Sequence, residues 1–242
     1  MADLKLQGRL AAVTGGGRGL GRAIVRGLAA EGAEVAFSYR ESRRGAEEEA
    51  ERLRTQGRRV FTARADARVP GEIARFVERA AAALGGLDVL VNNVGVFRRV
   101  NLDALVDADL DEAFDVNVKA AVMASQAAAP YLRNRGGGAI VNVASLGGLR
   151  PWKAYLPYCA SKAALIMATR VLALALAPEI RVNAVAPGIL DPPGTGGSLV
   201  EKVPLKRFGT HAEAVEAVLF LAVGASYTTG EVVTLDGGRR LG

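Results

Sequence analysis

Short apolar runs alternate along this chain with longer stretches in which apolar positions recur every three or four residues. The short runs are Leu10–Val13, Glu34–Phe37, Val60–Thr62, Asp88–Val91, Ala139–Val143, Arg181–Val185 and Glu231–Leu235, and they predict seven strands. The longer stretches, Leu20–Glu31, Gly45–Gln56, Gly71–Leu84, Asp111–Arg133, Tyr155–Ala177 and Ala212–Val223, combine helical spacing with helix-forming residues. Strand and helix in repeated alternation predict an α/β fold, a doubly wound parallel sheet of about seven strands with helices on both faces. Thr210 followed by Glu213 forms a capping box that starts the last helix and makes His211 a first-turn surface residue, while Pro178 ends the helix before it. Residues 187–205, rich in Gly and Pro, show neither strand nor clear helix, and a segment of that length predicts a functional loop. No repeat or linker interrupts the pattern, so residues 1–242 are expected to form one domain.

Composition narrows the class. Half of the 242 residues are hydrophobic and 29 are glycine without a three-residue period, which excludes disordered and collagen-like chains. The net charge of +6 invites a nucleic-acid reading. However, the arginines of 40–59 are interleaved with Glu41, Glu47, Glu48, Glu49 and Glu51, the pattern of a solvated helix face, and no nucleic-acid partner is expected. Cys159 is the only cysteine and His211 the only histidine, leaving no intrachain disulfide and no Cys/His metal cluster. The N-terminal residues lack an apolar signal core, and Arg170 interrupts the longest apolar stretch, Ala163–Ala177; no membrane association and a reducing cytoplasm are the expectations.

Two places carry candidate chemistry. After the first strand, Thr14-Gly15-Gly16-Gly17-Arg18-Gly19-Leu20-Gly21 opens a helix. Glycines there permit a sharp turn and let a diphosphate approach the free N–H groups and positive dipole end of the helix. The second place is Ser145…Tyr158-Cys-Ala-Ser-Lys162. Tyr158 and Lys162 lie one helical turn apart on one face, and Ser145 follows the fifth strand at its carboxyl end, where doubly wound sheets bind ligands. Hydride delivery to a carbonyl leaves a developing alkoxide that needs a hydrogen bond and a proton. A phenol can give that proton, and a nearby ammonium should lower its pKa from about 10. Tyr155 competes for the tyrosine role but has no lysine four residues on, and Cys159, about 100° around the helix from Tyr158, is expected to be packed rather than reactive.

The G-x-x-x-G-x-G spacing at 15, 19 and 21, together with Ser145, Tyr158 and Lys162, resembles the short-chain dehydrogenase/reductase family, and the resemblance extends over nearly the whole chain. It implies a Rossmann fold and an oxidoreductase. Gly15, Arg18, Gly19, Leu20 and Gly21 would face the cofactor. Tyr39 stands where NAD-using members carry aspartate, and Arg40 follows it. With Arg18, Arg40 would hold a 2′-phosphate, so the implied cofactor is NADP(H). The resemblance places Asp66, Asn93 and Gly95 at the adenine side, Pro187 and Gly188 at the nicotinamide, and Asn117 as a helix-kinking residue that links Lys162 to solvent through a water. It also implies a homotetramer built through the helices of Asn117 and Tyr158.

The relatives suggested are 3-oxoacyl-acyl carrier protein reductases and bacterial pteridine reductases. Arg150-Pro151-Trp152, Leu156–Cys159 and Phe97, placed where the second group stacks its pterin, point to pteridines; Gly19 and Ser145 restore the carbonyl-reducing pattern. Reduction of a small-molecule or thioester carbonyl is therefore the first expectation and pterin C=N reduction the second. Phe97 and Leu190 would touch the substrate, with Ile189, Pro192, Pro193 and Leu199 as further residues of the loop. A non-catalytic dinucleotide sensor on the same fold is the reading of another class, and retention of both Tyr158 and Lys162 opposes it.

Overall fold

The computed structural model describes residues 4–191 and 197–241. Seven parallel strands, β1 (Leu10–Val13), β2 (Glu34–Tyr39), β3 (Val60–Arg64), β4 (Val89–Asn92), β5 (Gly138–Val143), β6 (Ile180–Pro187) and β7 (Val232–Leu235), form one sheet in the order β3-β2-β1-β4-β5-β6-β7. Side chains alternate between the faces of a strand, and in this sheet both faces are covered. Ala11, Val13, Val35, Phe37 and Val91 pack under helices α1 (Gly19–Ala30), α2 (Arg43–Thr55) and α7 (His211–Leu219). Leu10, Ala12, Ala36, Leu90 and Ile140 face the opposite layer of α3 (Glu72–Leu84), α5 (Ala120–Asn134) and α6 (Leu156–Leu176). The strand order reverses at β1 and β4, whose carboxyl ends diverge into loops on opposite sides and leave a crevice.

The expected helix at 111–133 is not continuous. It begins earlier, as α4 (Asp107–Phe114), where the Asp109 carboxylate accepts from the Val106 N–H at 3.2 Å. A π-helical turn, Asp115–Lys119, then separates it from α5. The extra residue of such a turn bulges one side chain out of the helical ladder, and that side chain belongs to Asn117. Its Oδ1 accepts from the Val96 N–H at 2.8 Å, and its Nδ2 donates to the Ser161 hydroxyl at 2.9 Å. A second π turn, Phe220–Gly224, likewise shortens the expected last helix to α7, whose capping box forms as anticipated from Thr210 and Glu213.

Two buried carboxylates tie elements together. Asp88 accepts from the Leu10 N–H at 2.9 Å and pairs with Arg9 and Arg135, joining the amino ends of β1, β4 and β5. Glu49 holds α2 to α1 through Arg26 and is also bonded by Arg52. Burial would raise the Glu49 pKa, but the hydrogen bonds from the two arginines prevail and hold it below the usual carboxylate range. Among the described residues α6 alone is long and apolar enough to cross a membrane by length and composition. Its Leu165, Ile166, Thr169 and Ala173 are buried, and the Thr169 hydroxyl accepts from Asn142 of β5 at 2.9 Å, the packing of a core helix. Of the 187–205 segment, Gly197–Lys202 is a 3₁₀ helix, while Pro192 and Pro193 lie outside the described residues.

Candidate active site

The crevice at the carboxyl ends of β1, β2 and β4 has a volume of about 660 Å³. Its edge begins at the glycine turn. Gly15 and Gly19 adopt φ of 71° and 52°, in the left-handed region that glycine tolerates. A Cβ on Gly21 would overlap the Gly15 carbonyl oxygen, so glycine there sets how closely the turn folds onto α1. The bend is braced from two sides: the Gly15 N–H donates to the Ser38 hydroxyl at 3.0 Å, and Asn93 Nδ2 donates to the carbonyls of Thr14 and Gly15. Gly15, Arg18, Gly19, Leu20, Gly21, Tyr39, Arg40, Asp66, Asn93, Gly95 and Phe97 are all brought to this one crevice. Arg68, Val96, Arg98, Glu112 and Val116 also line it, and sequence reading missed them.

At its outer end the crevice is dense in charge. Tyr39 closes β2, so no carboxylate stands at the strand end, and Arg40 follows with its guanidinium 2.8 Å from Glu41. Asp66 is buried two residues past β3, and Arg68 engages both of its oxygens, at 3.0 and 2.6 Å. Those bonds, against the opposing effect of burial, hold the Asp66 carboxyl below its ordinary pKa. An Asp followed two positions later by Arg was the available signal for that pair.

The proton-handling groups Ser145, Tyr158 and Lys162 do not line the crevice but stand beyond Gly95 and Phe97, which do. Ser145 is buried at the tip of β5, its Oγ accepting from the Gly147 N–H at 3.0 Å. The Tyr158 phenol lies beside it; burial raises the phenol pKa, and the Ser145 hydroxyl works the other way. Lys162 is wholly buried and donates from Nζ to the Val143 carbonyl at 2.7 Å. The expected lowering of the phenol pKa by Lys162 is therefore not what this arrangement delivers. The ammonium is turned to a backbone carbonyl of β5, and burial dominates both groups, bringing the lysine down to about 8. Gly95 separates the crevice from this pair: a Cβ there would stand 3.1 Å from Asn117 Oδ1 and 3.4 Å from Lys162 Nζ. Burial also raises the Cys159 thiol, as befits a packed cysteine.

Pro187 and Gly188 end β6 beside the tip of β5, with the Gly188 N–H bonded to Leu235. Leu190 is not brought to the crevice. It bridges to Gly209 and lines a separate cleft of about 430 Å³ with Pro204, Leu205 and residues 234–238. Rings collect around the phenol instead: Phe97 lies 4.7 Å from Tyr158 edge to face and 4.8 Å from Tyr155 in parallel stack, and Trp152 is 6.0 Å from Tyr158.

A crevice at the reversal of strand order is where doubly wound sheets take dinucleotides, and the hydroxyl, phenol and amine beyond its Gly95 and Phe97 put this one among the oxidoreductases. A family model described as enoyl-(acyl carrier protein) reductase matches residues 15–240. The chain is 34% identical to the 3-oxoacyl-[acyl-carrier-protein] reductase of Staphylococcus epidermidis over 94% of its own length and 97% of that protein. A short chain dehydrogenase from Burkholderia cenocepacia, solved in complex with NADP, is 40% identical with a TM-score of 0.92, covering 97% of this chain and 99% of that one. A blue fluorescent protein from a metagenomic library, in complex with NADPH, gives 37% and 0.91, with coverage of 97% and 99%. The chain belongs to the short-chain dehydrogenase/reductase family.

Proposed function

We propose that the protein reduces a carbonyl to an alcohol at the expense of NADPH. The cofactor assignment is supported by fit: a glycine-cornered turn with no room for a Cβ at Gly21, the amino end of α1 facing the crevice, and no acid at the end of β2. Gly15, Gly19, Leu20 and Gly21 would hold the diphosphate, Arg18 and Arg40 the 2′-phosphate, and Tyr39, Asp66, Asn93 and Gly95 the adenine side, with Pro187 and Gly188 at the nicotinamide. The NADP and NADPH complexes of the two similar structures favour the same cofactor. When bound, NADPH supplies the hydride.

The side chains beyond Gly95 and Phe97 do the rest. The Ser145 hydroxyl donates to the carbonyl oxygen and turns it toward Tyr158. As negative charge gathers on that oxygen, the Tyr158 phenol gives up its proton and the alcohol forms. The Ser145 hydroxyl, whose hydrogen bond lowers the phenol pKa, steadies the phenolate left behind; Lys162, brought to about 8 by burial, would return a proton to it, and Asn117, braced on Val96 and Ser161, would hold the water that links the amine to solvent. The observation that carries this reading is the Ser145 hydroxyl beside the Tyr158 phenol with a buried lysine one turn away. Tyr158→Phe should keep NADPH affinity, read by quenching of protein fluorescence, and lose turnover by at least a hundredfold, the lower range for a general acid; turnover within a few-fold of wild type would overturn it.

The substrate class follows the similarity to the S. epidermidis enzyme, and a 3-oxoacyl thioester is the first choice. Phe97, exposed and stacked on Tyr155, gives a specific reason to keep reduction of a dihydropterin C=N bond as the second. Rates with acetoacetyl thioester and with dihydrobiopterin separate the two, and activity on the pterin alone reverses the order. Met167, Val171 and Leu174 form an exposed apolar strip on α6 that suits assembly with further copies through the long helices, a homotetramer by family likeness. A reducing cytoplasm suits a chain with a single cysteine.

A further inference from the structure

Aromatic residues make up only 5% of this chain, yet three of them cluster with the candidate proton donor, itself a fourth. Two separate segments bring them together. Residues 97–100 run beside residues 152–155 through a bridge between Val100 and Tyr155, with the Val100 N–H bonded to the Ala154 carbonyl at 2.8 Å. Ala154 takes a φ of 66°, a left-handed conformation that costs energy at a residue with a Cβ. That turn sits between Trp152 and Tyr155 and sets the two rings nearly perpendicular, 84° apart at 6.1 Å. Phe97 then lies flat on Tyr155, with 8° between the planes, and meets Tyr158 and Trp152 edge to face at 76° and 88°.

Phe97 is the ring that faces outward. One of its faces is taken by Tyr155, but the residue as a whole is 61% exposed and lines the crevice. An apolar ring in that position, 4.7 Å from the ring of the proton donor, exposes a π face to whatever carbonyl compound reaches Tyr158. A flexible acyl chain gains only burial there. A flat conjugated ring gains burial and the offset-stacked or edge-to-face geometry that aromatic pairs prefer.

We propose that the carbonyl compounds this enzyme favours carry an aromatic ring conjugated with the reacting C=O, and that Phe97, backed by Tyr155, is the stacking surface that selects them. This rests on the carbonyl-reduction reading above and narrows its substrate class; a 3-oxoacyl thioester falls within it when its 3-oxo carbon bears the ring. Hydride adds to the carbonyl carbon and the Tyr158 proton to its oxygen, while the ring remains unreduced.

The test compares 1-phenylethanone with 1-cyclohexylethanone, ketones of similar size that differ in the aromaticity of one ring. The ratio of their kcat/KM values with NADPH is measured in wild type and in Phe97→Leu, so that the difference in intrinsic reactivity cancels. Loss of one stacked pair should lower the aryl-to-cyclohexyl ratio by roughly 2- to 12-fold, and Phe97→Tyr should restore it. An unchanged ratio in Phe97→Leu overturns the proposal. So does a wild-type enzyme that reduces acetoacetyl thioester but neither methyl ketone, and in that case carbonyl reduction itself stands. If no carbonyl compound is reduced, acetoacetyl thioester included, the broader reading falls and this one with it.

Discussion

Replacing Lys162 by methionine should make the protein more stable at neutral pH. The side chain is buried, its only protein partner among the described residues is the Val143 carbonyl, and burial brings its pKa from the 10.5 of a free lysine to about 8. Carrying that ammonium into the fold costs about 3 kcal/mol wherever the lysine is charged in both states. The sign follows from proton counting. Below about pH 8 folded and unfolded chains both hold the proton, and the whole cost is present. Between about 8 and 10.5 only the unfolded chain keeps it, so stability rises with pH; above 10.5 the cost has vanished. Methionine removes the charge but also the bond to Val143, worth about 1 kcal/mol. The variant should therefore be about 2 kcal/mol more stable than wild type at pH 7 and about 1 kcal/mol less stable above pH 10.5, changing sign between about pH 9 and 10. Urea unfolding at fixed protein concentration, followed by circular dichroism and by the fluorescence of Trp152, the single tryptophan, gives the difference at each pH. Subtracting the two proteins cancels the groups they share. A pH-independent difference, or a less stable variant at pH 7, would refute the claim that this amine is held at the expense of the fold.

Three further outcomes are expected. Arg40→Ala should reduce the preference for NADPH over NADH by roughly tenfold, the low end for a charge-assisted contact because Glu41 already engages the guanidinium; equal preference ratios in titrations of both proteins would remove Arg40 from the 2′-phosphate site. Gly21→Ala should weaken NADPH binding roughly tenfold or more while leaving the circular dichroism spectrum native, since the new methyl meets the Gly15 carbonyl; wild-type affinity would mean the turn is not the diphosphate cradle. Glu49→Gln should cost about 2 kcal/mol at pH 7, less than for a fully buried pair because Arg26 and Arg52 are half in water. With its pKa lowered in the folded state, Glu49 stabilises above the unfolded carboxylate pKa near 4.3 and loses that contribution as the pH falls, so the gap between the two proteins should close in acid; a constant gap in urea midpoints from pH 3 to 7 would argue against it.

The sheet was legible because its strands are apolar on both faces, and such runs admit few other structures. β1, Leu-Ala-Ala-Val, is buried at every position. The break in the helix around Asn117 was not legible from periodicity, because a π turn adds one residue without changing composition; only the resemblance to a known family marked that asparagine. Short motifs made the candidates legible, from Gly15 to Gly21 and from Ser145 to Lys162. The electrostatics of Lys162 were not legible, because burial sets them, against β5, where its Nζ meets the Val143 carbonyl nineteen residues away in sequence. The ring cluster of Phe97, Trp152 and Tyr155 belongs to the same class, because it depends on which loops lie side by side, whereas the Arg68 grip on Asp66 spans only two residues and was open to reading. Leu190 lies in a separate cleft because its pairing with Gly209 carries it toward β7.

The reversal of strand order between β1 and β4 has a mechanical consequence. Every wall of the crevice contributed by Gly15–Gly21, Tyr39, Arg40, Asp66 and Arg68 belongs to the first 84 residues of the chain, and every wall from Asn93 onward belongs to the remainder. The two portions meet where β1 pairs with β4, where α3 packs on α5 and where α1 packs on α7, and Asp88 clasps them at the far end. A dinucleotide lying in the crevice would thus span a joint, and the work of prying the portions apart would include expelling it. Cutting the backbone at Gly85–Gly86 would divide the binding groove lengthwise, so reunion of the fragments through their shared apolar faces ought to be strengthened by the ligand neither can hold alone.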